Sequence, residues 1–450
     1  MKREIMYSIG LMSGTSMDGI DAALLKTDGT PNLIERHGYL SLPYEQIFKI
    51  CLKATEFTIK TCNGDLAKAT HNFQALLIRY FQENLGLQQY EMDAMFQTIH
   101  DYFKHACVKP FKESLNLNHI IDHSTHLHIL AVNALLHKAN MSAKQINIIG
   151  YHGQAMFHQP RQKISIILGD GQALADAVTI PVINDFRRQD IQMGGQGAPF
   201  APIYHQALAI RDHKIPLIVV NCGGIANVTL IPSSDPHTLT GFDTGPGNGL
   251  LDQFVRQRTQ GRLSMDVDGA FGQQGKVVEI ILEALYSSAV MKEDVNYFSL
   301  RPPKSLDYGD LVLIPELANL SLEDGCRTLA AFTADSIVTS VMQLGTILPR
   351  HWILAGGGWH NPVIFEEIKQ RVKNKIGQDV TVATADEAGW HGAALEAELF
   401  AYLAVRSMQQ QPISYPNTTG VTQPLTGGTY YKPNYLHNSY PYTCTDKRAT

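Results

Sequence analysis

Three features of the sequence predict an α/β chain of two lobes. At 450 residues it is longer than one ordinary domain and long enough to bury a large core. A strand, glycine-rich turn and strand, formed by 5–11, SGTSMDG and 20–26, has an echo in 215–221, CGG and 225–231. Between and after these hairpins, short β-type runs alternate with stretches of helical periodicity.

Taken in order, 33–42 adds a third strand to the first hairpin, and 44–117 reads as helical. A helix over 122–139 follows from Ile129, Val132, Leu135 and Leu136 on one face. The runs 146–149, 164–168 and 181–183 are short strands, each leading into a polar loop: YHGQ, GDGQ and NDFRR. Helices are expected over 248–260 and 322–344, with Asp324 favouring the start of the latter electrostatically. HWILAGGGWHNP reads as strand, glycine loop and helix start, and a strand at 380–384 and a long helix at 390–408 complete the pattern. Beyond Gln409, Pro, Thr, Gly and Tyr without periodicity suggest a tail along the surface or partly mobile. The expected division is a lobe over 1–210, a second over 211–390, and a returning helix with tail over 391–450.

Charged residues make up 18%, apolar ones 44%, and the net charge is −5, an ordinary globular balance. The densest basic feature is the pair Arg187 and Arg188, so no nucleic-acid partner is expected. Cys51, Cys62, Cys107, Cys222, Cys326 and Cys444 form no C-x-x-C pair, which fits a reducing cytoplasm. No apolar run approaches a membrane span and the N-terminus lacks a signal-peptide core, so a soluble cytoplasmic protein is expected.

Several segments carry candidate chemistry. In GTSMDGID, Gly14 and Gly19 with the small hydroxyls of Thr15 and Ser16 allow backbone N–H groups close to a polyphosphate. Asp18 or Asp21 there suits Mg²⁺. The same composition describes an ordinary polar turn, and no Walker lysine follows. In VINDFRRQDIQMGGQGAP, Asp185 follows a β-run and suits a general base, unless it merely pairs with Arg187 or Arg188; Asp190 competes for the role. NCGGIAN and GFDTGPGNGLLD supply a second hairpin and a turn into a helix whose N-terminus suits phosphate, with Asn248 and Asp252 as capping or surface groups otherwise. AGGGWHNP suits a flat ligand against backbone, or is a flexible turn. His123, His126 and His128 invite a metal reading, although H-E-x-x-H spacing is missing, and His152 and His158 suit a pocket or the core. Ser13 and Ser16 lack the G-x-S-x-G context of a serine hydrolase.

The order of these segments resembles the acetate and sugar kinase, heat-shock chaperone and actin superfamily. GLMSGTSMDGIDAAL, GDGQALA, DFRRQDIQMGGQGAP, NCGGIANVTLI, FDTGPGNGLLD and ILAGGGWHNP together resemble the anhydro-N-acetylmuramic acid kinase family over most of 9–404. The resemblance implies two ribonuclease-H-like lobes with a central ATP and sugar cleft, ATP and Mg²⁺ as reactants, an anhydro sugar substrate and a homodimer. It implies hydrolytic opening of the 1,6-anhydro ring with phosphorylation of O6, in cell-wall recycling. Asp185 matches the family's catalytic aspartate. Gly14, Thr15, Ser16, Met17, Asp18, Gly19, Ile20 and Asp21 match its ATP loop; Gly223, Gly224, Thr244, Gly245 and Gly357 fall where the superfamily handles nucleotide. Glu396 and Gln196 fall on the sugar side.

The chain departs from the family at 86–118, which resembles an insertion, in PPKSLDYGD at 302–310, and at Gly249, where a larger residue is common. These departures bear on sugar specificity, dimer contacts and lobe motion. A kinase of another hexose or anhydrohexose, and an actin-like nucleotide switch, are the alternative readings, since fold does not fix function.

Overall fold

Both halves of the chain build the same kind of sheet: an antiparallel three-stranded meander, extended by two parallel strands beside its first strand. The computed structural model describes residues 3–106, 115–345 and 347–434. Two compact units form, one from the chain up to Ala198, Ala394–Ser414 and the chain from Val421, the other from Pro199–Ala393 and Tyr415–Gly420.

In the first unit, β1 (Met6–Ser13), β2 (Gly19–Thr27) and β3 (Ile34–Pro43) form the meander. Helices α1 (Gln46–Thr61), α2 (Leu66–His71), α3 (Phe73–Leu85), α4 (Gln89–Ala106) and α5 (Leu117–Lys138) follow. The described part of the expected insertion includes α4, while 107–114 lie outside the described residues. Helix α5 starts five residues before the expected boundary because Asn116 caps it, its Oδ1 accepting from His119 N at 3.2 Å. β4 (Ile148–Gln159) pairs in parallel with β1, β5 (Ile164–Leu168) runs back along β4, and β6 (Val182–Asn184) extends the sheet in parallel. YHGQ is therefore inside β4 rather than a loop after it, with Gly153 in left-handed backbone (φ 78°) and an irregularity near Ala155. α6 (Gly171–Val178) and α7 (Arg187–Gln192) flank β6.

The second unit holds α8 (Ala201–Arg211), the meander β7 (Leu217–Cys222), β8 (Ile225–Ile231) and β9 (Thr240–Pro246), and α9 (Gly249–Arg258). α10 (Glu279–Ser288), the small hairpin β10 (Met291–Lys292) and β11 (Val295–Asn296), and α11 (Leu322–Met342) precede β12 (His351–Ala355), α12 (Pro362–Lys375) and β13 (Thr381–Thr384). The sheet order β13-β12-β7-β8-β9 repeats the first unit's β6-β4-β1-β2-β3. That shared order is the ribonuclease-H-like arrangement. Ile9, Leu11, Phe48, Val132 and Ile149 belong to one buried core, and Ile218, Val220, Phe332, Ile337 and Leu354 to the other.

Helix α13 (Leu395–Met408) returns to the first unit and begins later than the expected 390, after a short turn at Gly392–Ala394. It lies directly on the sheet because Gly10 and Gly150 have no side chains. A Cβ on Gly10 would be 1.8 Å from Ala397 O, and one on Gly150 would be 2.0 Å from Phe400 O. As far as residue 434 the tail is more structured than its composition suggests, and 435–450 lie outside the described residues. α14 (Pro416–Thr419) is followed by β14 (Thr429–Tyr431), which pairs antiparallel with β6 and caps an edge that would otherwise expose unpaired backbone. Among the described residues no helix is long and apolar enough to cross a membrane.

Candidate functional site

The first hairpin tip is built from inside as well as outside. Met17 N donates to Gly14 O at 3.1 Å, which places Met17 in left-handed backbone (φ 57°) with a buried side chain. Met17 and Ile20 thus face the core, whereas Thr15, Ser16 and Asp18 are exposed. Gln154 Nε2 holds Gly14 O at 2.8 Å. Beneath the tip, His128 Nδ1 is 2.7 Å from Ser124 O and must donate to it, so Nε2 accepts from Ser13 Oγ at 2.7 Å. Tyr44 OH donates in turn to Ser13 at 3.2 Å. Burial pulls His128 down to about 4, which fits this neutral tautomer. The exposed Asp18 pairs with Lys49 at 3.3 Å, and Asp21 accepts from Tyr39 OH at 2.7 Å.

Asp185 follows the last residue of β6 in left-handed backbone (φ 55°). Its carboxylate pairs with Arg188, while burial, the larger effect, raises it above the ordinary carboxylate range. Arg187 turns elsewhere. Its Nη2 is 3.1 Å from His152 Nε2, which accepts because His152 Nδ1 donates to Gly153 O at 2.8 Å. Burial and then Arg187 pull His152 down to about 3, and burial pulls Arg187 down to about 10, opposed by Glu396 and Asp190. The Glu396 carboxyl is raised by desolvation and then by Asp21, with Arg187 opposing. Asp21, Glu396, Arg187 and His152 are therefore one electrostatic neighbourhood in the first unit.

Asp190 is committed to the backbone. Only 2% exposed, it accepts from Gly197 N at 2.6 Å through Oδ1, while Gly195 N donates to its carbonyl at 2.9 Å. These bonds shape 194–197 and leave the Gln196 side chain exposed. His158 Nε2 lies 2.9 Å from Gln196 O and donates to it, steadying the same loop. Arg187 and His152 were not assigned to this site from sequence, although the paired arginines and the YHGQ histidine were visible signals. The C-terminal strand carried no comparable signal. Its Tyr431 lies against Gly171, and the chain leading into it places Val421 against Gly195 and Gly428 against Ile183.

In the second unit, Gly223 and Gly224 form the tip between β7 and β8. At the D-T-G-P-G turn, Gly247 N and Gly249 N donate to Gly224 O, each at 3.0 Å, and Asn248 N to Gly223 O at 2.8 Å. Those N–H groups are spent on the hairpin because the absence of side chains lets the two segments touch. Thr244 is buried, with Oγ1 donating to Ala226 O at 3.1 Å, and Gly245 packs against Ser336 and Phe298. Gly357 is exposed, with open space where a Cβ would stand. Asn248 Nδ2 donates to Asp252 at 3.1 Å, and burial pushes Asp252 up to about 6.

The histidine metal reading fails on direction. His123 packs 4.7 Å from Phe48, ring centre to ring centre, and its Nε2 meets Tyr102 OH at 2.8 Å, while His128 serves Ser13. Among the described residues no group of three or more His, Cys, Asp or Glu could hold a metal. Cys51, Cys62, Cys222 and Cys326 are free thiols; Cys107 and Cys444 lie outside the described residues.

The duplicated sheets and paired glycine hairpins define an α/β protein of ribonuclease-H-like construction. The anhydro-N-acetylmuramic acid kinase family matches residues 72–433. The anhydro-N-acetylmuramic acid kinase of Rhizorhabdus wittichii is 36% identical over 432 residues, covering 95% of this chain and 99% of the relative. Those of Zymomonas mobilis and Nitrobacter winogradskyi are each 37% identical, over 94% and 95% of this chain and 99% and 100% of their own. The chain belongs to the anhydro-N-acetylmuramic acid kinase family.

Proposed function

We propose that this protein uses ATP and water to convert 1,6-anhydro-N-acetylmuramic acid to N-acetylmuramic acid 6-phosphate, a step in peptidoglycan recycling. Family membership across nearly the whole chain is the observation that carries the reading. Asp185 is the general base. It accepts a proton from the water that attacks the anomeric carbon, the bond from that carbon to O6 breaks, and O6 attacks the γ-phosphorus with ADP leaving. The proton on Asp185 then passes to solvent. Burial that raises the carboxyl above its ordinary range makes the carboxylate a better proton acceptor than a free one, which supports this role.

Glu396 and Gln196 face the sugar, and Arg187 balances the Glu396 charge. Each unit carries a glycine hairpin suited to phosphate oxygens: Gly14 to Asp21 in the first, Gly223 and Gly224 in the second, where Gly357 is also open to nucleotide. Mg²⁺ commonly takes one or two protein carboxylates and completes its shell with phosphates and water. Asp21 fits that demand better than Asp18, because Asp21 helps raise the neighbouring Glu396 carboxyl, a repulsion that a divalent cation would relieve, whereas Asp18 already pairs with Lys49. Bound there, the ion would draw negative charge from the transferring phosphoryl group. A cytoplasmic homodimer completes the reading.

The test is product analysis in H₂¹⁸O with ATP and a panel of anhydro and reducing sugars. The expected product is a reducing sugar 6-phosphate with one ¹⁸O at the anomeric carbon. A phosphorylated product that keeps its anhydro ring, phosphorylation of ordinary hexoses alone, or ATP hydrolysis with every sugar untouched would each overturn it.

A further inference from the structure

Gly249 and Tyr308, within the 302–310 segment, touch each other in the second unit. A Cβ on Gly249 would meet the Tyr308 ring at 2.9 Å and Gly224 O at 2.5 Å, and a Cβ on Gly224 would meet the same ring at 3.2 Å. The Tyr308 phenol donates to Gly249 O at 3.2 Å and accepts from Arg256 Nη2 at 3.0 Å. Arg256 is braced in turn by Ser264 O, 3.1 Å from Nη1. The ring thus covers the place where the N–H groups of Gly247, Asn248 and Gly249 reach the carbonyls of the hairpin tip. Tyr308 itself is 47% exposed, so it is no core residue whose burial alone accounts for its position.

We propose that Tyr308 is a positioning residue for the second glycine hairpin, clamping Gly223 and Gly224 onto the first turn of α9 so that the tip meets the ATP phosphates at a fixed place. The missing side chain at Gly249 lets both the Gly224 carbonyl and the ring close onto α9. Tyr308 acts through the hairpin and transfers no proton. Displacing such a tip by about 1 Å can cost on the order of 10²-fold in rate, so a clamp made by one exposed ring has functional reach. The inference rests on the kinase reading above, and its test separates the two.

Steady-state kinetics on the full chain, with ATP and the anhydro sugar varied separately, provide the main readout. Tyr308→Ala should raise KM for ATP about 10-fold while leaving KM for the sugar and the melting temperature nearly unchanged. Tyr308→Phe, which keeps the ring and loses the phenol, should recover most of that loss. Gly249→Ala should raise KM for ATP in the parent and in the Tyr308→Ala background alike, because its Cβ meets Gly224 O at 2.5 Å whether or not the ring is present. An ATP KM within about twofold of the parent for Tyr308→Ala, or a sugar KM raised as much as the ATP KM, would overturn the clamp. Calorimetric titration of the same variants with a non-hydrolysable ATP analogue decides the point even if the parent phosphorylates no anhydro sugar, an outcome that would sink the kinase reading instead.

Discussion

Asp185→Asn keeps the shape of the side chain and removes its charge. The ion pair it breaks is partly in water, since the Arg188 side chain is 67% exposed and that of Asp185 23%, and such pairs contribute about 0–1 kcal/mol. Burial disfavours the ionised carboxyl, so neutralising it offsets part even of that loss. The melting temperature should therefore hardly move. Turnover of 1,6-anhydro-N-acetylmuramic acid should fall by about 10²–10⁴, the usual contribution of a general base. Because the base must be ionised and its carboxyl is raised, kcat/KM of the parent should decline on acidification from above the ordinary carboxylate range, and this limb should vanish in the variant.

The neighbouring carboxylate provides the contrast. Asp190→Ala strips Gly197 N of its buried acceptor at 2.6 Å, which should cost about 1–3 kcal/mol in stability. Asp190→Asn keeps an acceptor oxygen and should be milder. Phosphorus NMR of the product and thermal unfolding followed by circular dichroism read the two quantities separately. If Asp190→Asn abolished turnover with an unchanged melt while Asp185→Asn worked nearly as well as the parent, the assignment of the base would be wrong.

Two further predictions concern stability. Gly150→Ala forces a Cβ to within 2.0 Å of Phe400 O, so α13 must lift from β4 at a cost of about 1–3 kcal/mol; an unchanged denaturation midpoint would count against the direct contact of helix and sheet. Asp243 is pushed up to about 6 by burial, against 3.8 ordinarily, so the folded state binds its proton more tightly than the unfolded chain. Its contribution is fully present below about pH 4 and lost as pH rises through 6, worth on the order of 3 kcal/mol. Asp243→Asn keeps an acceptor for Leu306 N and should flatten the fall in stability between pH 4 and 7; urea titrations showing the same slope as the parent would contradict this.

Much of this architecture can be read locally. The two hairpins announce themselves because β-branched and aliphatic runs flank glycine turns, and α5 and α11 because apolar residues recur at helical spacing over many turns. The boundaries of α5 and α13 shifted by five residues because a cap and a preceding short turn, rather than periodicity, set where those helices start. Among the candidate groups, the proximity of Asp185 to the paired arginines was visible, but not which arginine it would keep. That depended on Arg187 finding His152, presented by a strand more than thirty residues earlier in the chain.

The sequence by itself determined the duplicated strand–turn–strand units and the α/β class, because hydrophobic periodicity and glycine spacing act over a few residues; the family was legible only through the resemblance of its motifs. Tertiary structure alone decided the rest. β14 spans Thr429–Tyr431, too short for a periodic signal, and exists because β6 offers it unpaired backbone. Asp190 became a loop anchor because Gly197 N–H was buried with it, and the N–H groups of Gly247, Asn248 and Gly249 were taken up by the carbonyls of Gly223 and Gly224. In each case a buried polar group had to find a partner, and partners distant along the chain are chosen by packing in three dimensions.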